Sequence, residues 1–132
     1  MFAAGIAAGI YTSNTADACH YISSHSKAEV VVLEGNLQLK KYANSKEKLL
    51  HLKAIVVWGE PIDSATATAA GVPVYSWEDF LSLGASTPQS EVDDRANSIK
   101  PGNCSTLIYT SGTTGPPKAV MISHDNLSLI HI

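Results

Sequence analysis

Two unbroken apolar runs, Val30-Val31-Val32-Leu33 and Ala54-Ile55-Val56-Val57-Trp58, constrain the fold more than any other feature. A strand with water on one face alternates polar and apolar residues, and these do not. They predict parallel strands covered on both faces, so the class is α/β with crossover helices. The segments between the runs fit that reading. Ala18, Tyr21, Ile22 and His25 recur at helical spacing, predicting a helix over 15–27 with Asn14 as N-cap and Asp17 near its positive end. A Lys- and Leu-rich stretch predicts a second helix over 37–50.

Shorter elements complete the pattern. Ile10-Tyr11-Thr12 and residues 72–75 read as short strands, and Ser105 to Tyr109 as a longer one. Ser76 predicts the cap of a helix running through Leu83, with Glu78 and Asp79 in its first turn. The Ala/Thr-rich stretch 63–71 reads as a loop, and the polar, proline-containing stretch 87–103 as a surface connection. The apolar start, Met1 to Ile10, lacks a basic n-region and a cleavage site, so it is read as the end of a buried helix. It is also far shorter than the roughly 20 residues a membrane span needs. Strands apolar on both faces require neighbours that these elements do not supply, so the chain reads as a partial sheet from a larger domain.

Composition excludes several functions. The 132 residues carry a net charge of −3, and their nine basic residues are scattered. No basic stripe suits nucleic acid, and no polybasic run suits an anionic membrane. Cys19 and Cys104 match neither a disulfide framework nor a metal knuckle and read as reduced thiols. His20 and His25 stand five residues apart, about 140° around a helix, which sets them apart as metal ligands. Tyr11, Tyr21, Trp58, Trp77 and Phe80 read as core or packing residues.

The strongest chemical feature is Tyr109-Thr110-Ser111-Gly112-Thr113-Thr114-Gly115-Pro116-Pro117-Lys118, placed directly after an apolar strand. Gly112 and Gly115 allow positive φ and let the backbone approach a ligand closely. Successive N–H groups in such a turn form an anion-binding nest. Hydroxyls of Thr110, Ser111, Thr113 and Thr114 add donors, Pro116 and Pro117 stiffen the exit, and Lys118 brings a mobile positive charge. The spacing Gly-x-x-Gly-x-x-Lys is not the common NTPase loop, which places Lys and Ser/Thr directly after its second glycine.

On these residues, and on Val120-Met121-Ile122-Ser123-His124-Asp125-Asn126 after them, the chain resembles the adenylate-forming (AMP-binding) superfamily. Gly9-Ile10-Tyr11-Thr12-Ser13-Asn14, Leu52 to Trp58 and Val74 to Phe80 resemble its long-chain acyl-CoA synthetases of the bubblegum type. The resemblance implies residues 1–126 as an incomplete AMP-binding domain, a fragment of the family's large N-terminal domain. Residues 127–132 resemble a translated sequencing adapter and are set apart as a tail. One departure is Ala119, where the family usually has glycine; alanine there is silent if the residue lies in a strand.

The resemblance implies ATP-dependent activation of a long-chain fatty acid to an acyl-adenylate and then an acyl-CoA. ATP, Mg2+ and coenzyme A are the implied cofactors and co-substrates. Thr110, Ser111, Gly112, Thr113, Thr114, Gly115, Pro116, Pro117 and Lys118 are the implied phosphate-binding residues. No catalytic residue and no metal ligand is assigned within the chain, and the magnesium ligand is expected outside it. The short chain alone is therefore expected to lack ligase activity and to associate through open strand edges. Expected partners are small molecules, with no nucleic acid and no transmembrane segment. A cytoplasmic location, with peripheral association at the endoplasmic reticulum, is expected of the complete enzyme. The alternatives are another adenylate-forming carboxylate ligase, an adenylation domain that loads a carrier protein, or a non-catalytic nucleotide-binding fragment.

Overall fold

The computed structural model describes residues 4–110 and 116–128, and these divide into two units. One is the continuous stretch Ile10–Ser86. The other joins the residues before it to those after it.

The continuous unit is built on three parallel strands, β1 (Val30–Glu34), β2 (Ala54–Trp58) and β3 (Val74–Ser76), in sheet order β1-β2-β3. Val31 pairs with Ile55 and Leu33 with Val57, while Ile55 also pairs with Val74. These side chains share one face, and there the core forms with Cys19, Leu39, Tyr42, Leu49, Leu52 and Ala70. The other face departs from expectation. Val30, Val32 and Trp58 are 43%, 53% and 46% exposed, so β1 buries one face only. The apolar run was sufficient for a strand, but β1 stands at the sheet edge, and α4 (Trp77–Leu83) packs chiefly on β2 and β3.

Helix α1 (Ala16–His25) is shorter than predicted and is capped by Thr15 rather than Asn14. The Thr15 hydroxyl accepts from the Ala18 N–H at 3.3 Å, while Asn14 spends its own N–H closing a turn on the Tyr11 carbonyl at 3.0 Å. That turn replaces the strand expected at 10–12. The helix expected over 37–50 is only α2 (Gly35–Leu39) plus one 3-10 turn, Lys40–Tyr42. It breaks because Asn44 takes a left-handed φ of 55° and donates its N–H to the Ala69 carbonyl at 2.7 Å. Turning there brings Leu49 and Leu52 back onto the core beside Leu39 and Tyr42, where a continued helix would have carried them away.

The stretch read as a loop contains α3 (Ser64–Ala70). Its small side chains show no apolar stripe at helical spacing, but both ends are capped. The Asp63 carboxylate accepts from the Thr66 N–H at 3.0 Å, and Gly71 closes the helix at φ 72°. Thr66 and Ala70, four apart, face inward, and Ala70 is fully buried. Helix α4 begins as predicted, with the Ser76 hydroxyl accepting from the Asp79 N–H at 3.0 Å. The polar connection 87–103 is likewise partly helical, as α5 (Gln89–Asn97), and buries no residue.

Burial also corrects the aromatic reading. Tyr11, Trp58 and Trp77 are exposed, so only Tyr21 and Phe80 of that set are partly covered. No helix among the described residues is long and apolar enough to cross a membrane.

In the second unit the start of the chain is not the end of a buried helix. Residues 4–7 are exposed, and Ala7–Ala8 forms a short strand, β4. It pairs in parallel with β5 (Cys104–Thr110), which pairs antiparallel with β6 (Lys118–Ser123). Thr106 Oγ1 donates to the Ala7 carbonyl at 2.9 Å, reinforcing that junction. Helix α6 (His124–Ser128) follows β6 directly.

Candidate nucleotide phosphate site

The candidate site lies at the loop end of the β5–β6 hairpin. Along β5, Ser105 and Tyr109 alternate inward, at 1% and 7% exposure, and fix which face the strand buries. The ladder then runs Leu107 to Met121, Ile108 to Val120, Tyr109 to Ala119 and Thr110 to Lys118. Thr110 and Lys118 are therefore directly opposed at the last rung. Side chains of such a pair project from the same face with Cβ atoms roughly 5 Å apart. Both are exposed.

The far end of the hairpin is fastened. Asn126 donates its N–H to the Ser123 hydroxyl at 3.1 Å, and the Ser123 N–H donates to Asn126 Oδ1 at 3.3 Å. This reciprocal arrangement caps α6 in the manner of a capping box. The His124 and Asp125 N–H groups donate to the Asn103 and Pro101 carbonyls at 3.1 and 2.9 Å. The exit of β6 is thus tied to the entrance of β5, and the ladder carries that constraint to the rung at Thr110 and Lys118. Sequence reasoning missed Ser123 and Asn126 as anchors; the Ser-x-x-Asn spacing was the available signal.

Four of the nine predicted phosphate-binding residues are described: Thr110, Pro116, Pro117 and Lys118. Ser111, Gly112, Thr113, Thr114 and Gly115 lie outside the described residues. Pro116 is exposed and Pro117 half-buried at the entry to β6. Lys118 forms no ion pair among the described residues, in contrast to Lys53, which meets Glu29 at 3.0 Å. An ammonium at a strand end beside a hydroxyl is chemically suited to an anionic oxygen. Ala119 is an ordinary strand residue opposite Tyr109, outside the left-handed region, so its Cβ costs no backbone strain.

The remaining reactive side chains have structural surroundings. His20 Nε2 lies 2.6 Å from the Lys41 carbonyl, which places the ring proton on that nitrogen, and the ring meets Tyr42 edge-on at 5.9 Å. His25 stacks on Tyr21 at 5.6 Å. Burial pushes the Cys19 thiol above its ordinary range, with Lys41 pulling weakly the other way. A buried thiol held protonated is a poor nucleophile. Burial likewise raises the Tyr42 phenol, opposed by its 3.1 Å hydrogen bond with Ser23.

Comparison with known proteins gives three findings. A family model described as AMP-binding enzyme matches residues 1–130. The chain is 44% identical over 128 residues to the long-chain-fatty-acid–CoA ligase ACSBG2 of Xenopus laevis, covering 97% of this chain and 17% of the relative. It is 45% identical to ACSBG2 of Gallus gallus over 97% of this chain and 16% of the relative. For ACSBG1 of Mus musculus the values are 41%, 97% and 17%. The chain thus spans about a sixth of the length of the curated relatives it matches. Among solved structures, the anthranilate CoA ligase AuaEII, in complex with anthranoyl-AMP, superposes with a TM-score of 0.63 at 23% identity. That match covers 94% of this chain and 21% of the ligase. The adenylation domain of a carboxylate reductase from Mycobacterium chelonae gives 0.59 at 16% identity, over 90% and 20% of the two chains. At these identities the structures support the fold, an α/β adenylation-domain architecture.

Proposed function

Since the chain belongs to the AMP-binding enzyme family, we propose that it forms part of an ATP-dependent long-chain fatty acid–CoA ligase. Within that enzyme it would contribute the clamp for the β- and γ-phosphates. The observation that carries this reading is the opposition of Thr110 and Lys118 at the loop end of the hairpin, where residues 111–117 connect the two strands. The substrate class rests on identities of 41–45% to ligases named for long-chain fatty acids.

The reaction has two halves. A fatty-acid carboxylate oxygen attacks the α-phosphorus of ATP, forming the acyl phosphate bond as the bond to pyrophosphate breaks. The thiol of coenzyme A then attacks the acyl carbon, and AMP leaves to give the thioester. The task of this chain falls in the first half. Charge builds on the bridging oxygen of the departing pyrophosphate, and fixed donors beside that charge lower the barrier. Backbone N–H groups and hydroxyls from Thr110 to Thr114 would hold the phosphate oxygens, and Lys118 would balance their charge. Mg2+, when bound with the nucleotide, would neutralise phosphate charge. No residue of this chain is assigned to hold it, nor any to coenzyme A.

The test is Lys118→Ala in the complete protein, read by fatty-acid-dependent ATP–pyrophosphate exchange. Loss of one charge-stabilising donor predicts a fall of about 10²- to 10³-fold in the adenylation rate. The melting temperature should be unchanged, because Lys118 is exposed. Exchange at the parental rate would remove Lys118 from the clamp.

A further inference from the structure

We draw no further inference here: the strongest candidate, the outward apolar face that β1 and β2 present through Val30, Val32 and Trp58, carries nothing because nothing in the structure shows what covers it.

Discussion

The unit formed by Ile10–Ser86 and the unit that bears the hairpin are held by different forces. In the first, ten side chains from α1, the strands, α2, the turns after it and α3 converge on one buried cluster. In the second, Tyr109 and Ser105 are the only buried residues among those described, while Ile108, Val120 and Met121 remain 48%, 45% and 71% exposed. Its organisation rests on the β5–β6 ladder, the short β4 junction and the Ser123–Asn126 cap. Apolar burial is worth roughly 25 cal/mol per Å2, whereas a typical net hydrogen bond adds only about 1 kcal/mol. The candidate site thus sits on the unit with less burial. Loops that must accept and release a ligand commonly occupy such positions on a scaffold.

The contrast can be broken most decisively by excision. Residues 10–86 carry the whole core cluster, so that polypeptide is expected to unfold cooperatively, with helical circular dichroism lost in one denaturant transition. A gradual loss without a transition would mean that its core depends on the rest of the chain. Next in size is a pair of matched truncations. Ile55→Ala, at a fully buried position, should cost about 2–5 kcal/mol, while Ile108→Ala, half exposed on β5, should cost about 1 kcal/mol or less. Equal losses in chemical denaturation would erase the distinction between the units.

Ala119→Gly sharpens the comparison at the site. It installs the glycine that the resemblance implies, but at an ordinary strand φ. Glycine there is expected to cost about 0.5–1 kcal/mol with no gain in ATP use by the complete protein. A clear gain would show that the exit of the loop needs a backbone freedom that alanine denies.

The smallest effect belongs to Asp63. The Thr66 hydroxyl, and after it the Thr66 N–H, hold its carboxyl below the usual range. A depressed folded-state value stabilises the protein above the unfolded carboxyl value, and that contribution is lost as pH falls through the folded one. Because Asp63 is exposed, Asp63→Asn should flatten the acid limb of a stability profile only slightly. An identical limb would mean that the carboxylate's charge is not what caps α3.

The pattern of successes and misses in reading the sequence has a physical basis. Ala54 to Trp58 and the Ser76 cap were legible because an uninterrupted β-branched run and a Ser-x-x-Asp spacing act locally. Helix α3 was not, because seven small Ala, Ser and Thr residues show no apolar stripe at helical spacing, and its two caps decide where it begins and ends. The break at Asn44 was hidden for the opposite reason. Lys and Leu favour a longer helix, and only the return of Leu49 and Leu52 to the core overrides them. Exposure of Val30 and Val32 could not be foreseen from a run whose composition suits an interior strand. At the candidate site, residues 109–118 suggested a phosphate loop from sequence alone, whereas the opposition of Thr110 and Lys118 required the register of the ladder.

The pairing of β4 with β5 joins residues 99 positions apart, as the Thr106–Ala7 hydrogen bond shows. Synthesis runs from the amino end, so Ala7 and Ala8 leave the ribosome long before their partner strand exists. Everything in 10–86 has emerged by then and can already have collapsed onto its own core. Strand β5 therefore pairs with β4 only after 10–86 has had time to collapse, and the frame of the candidate site is a late product of synthesis.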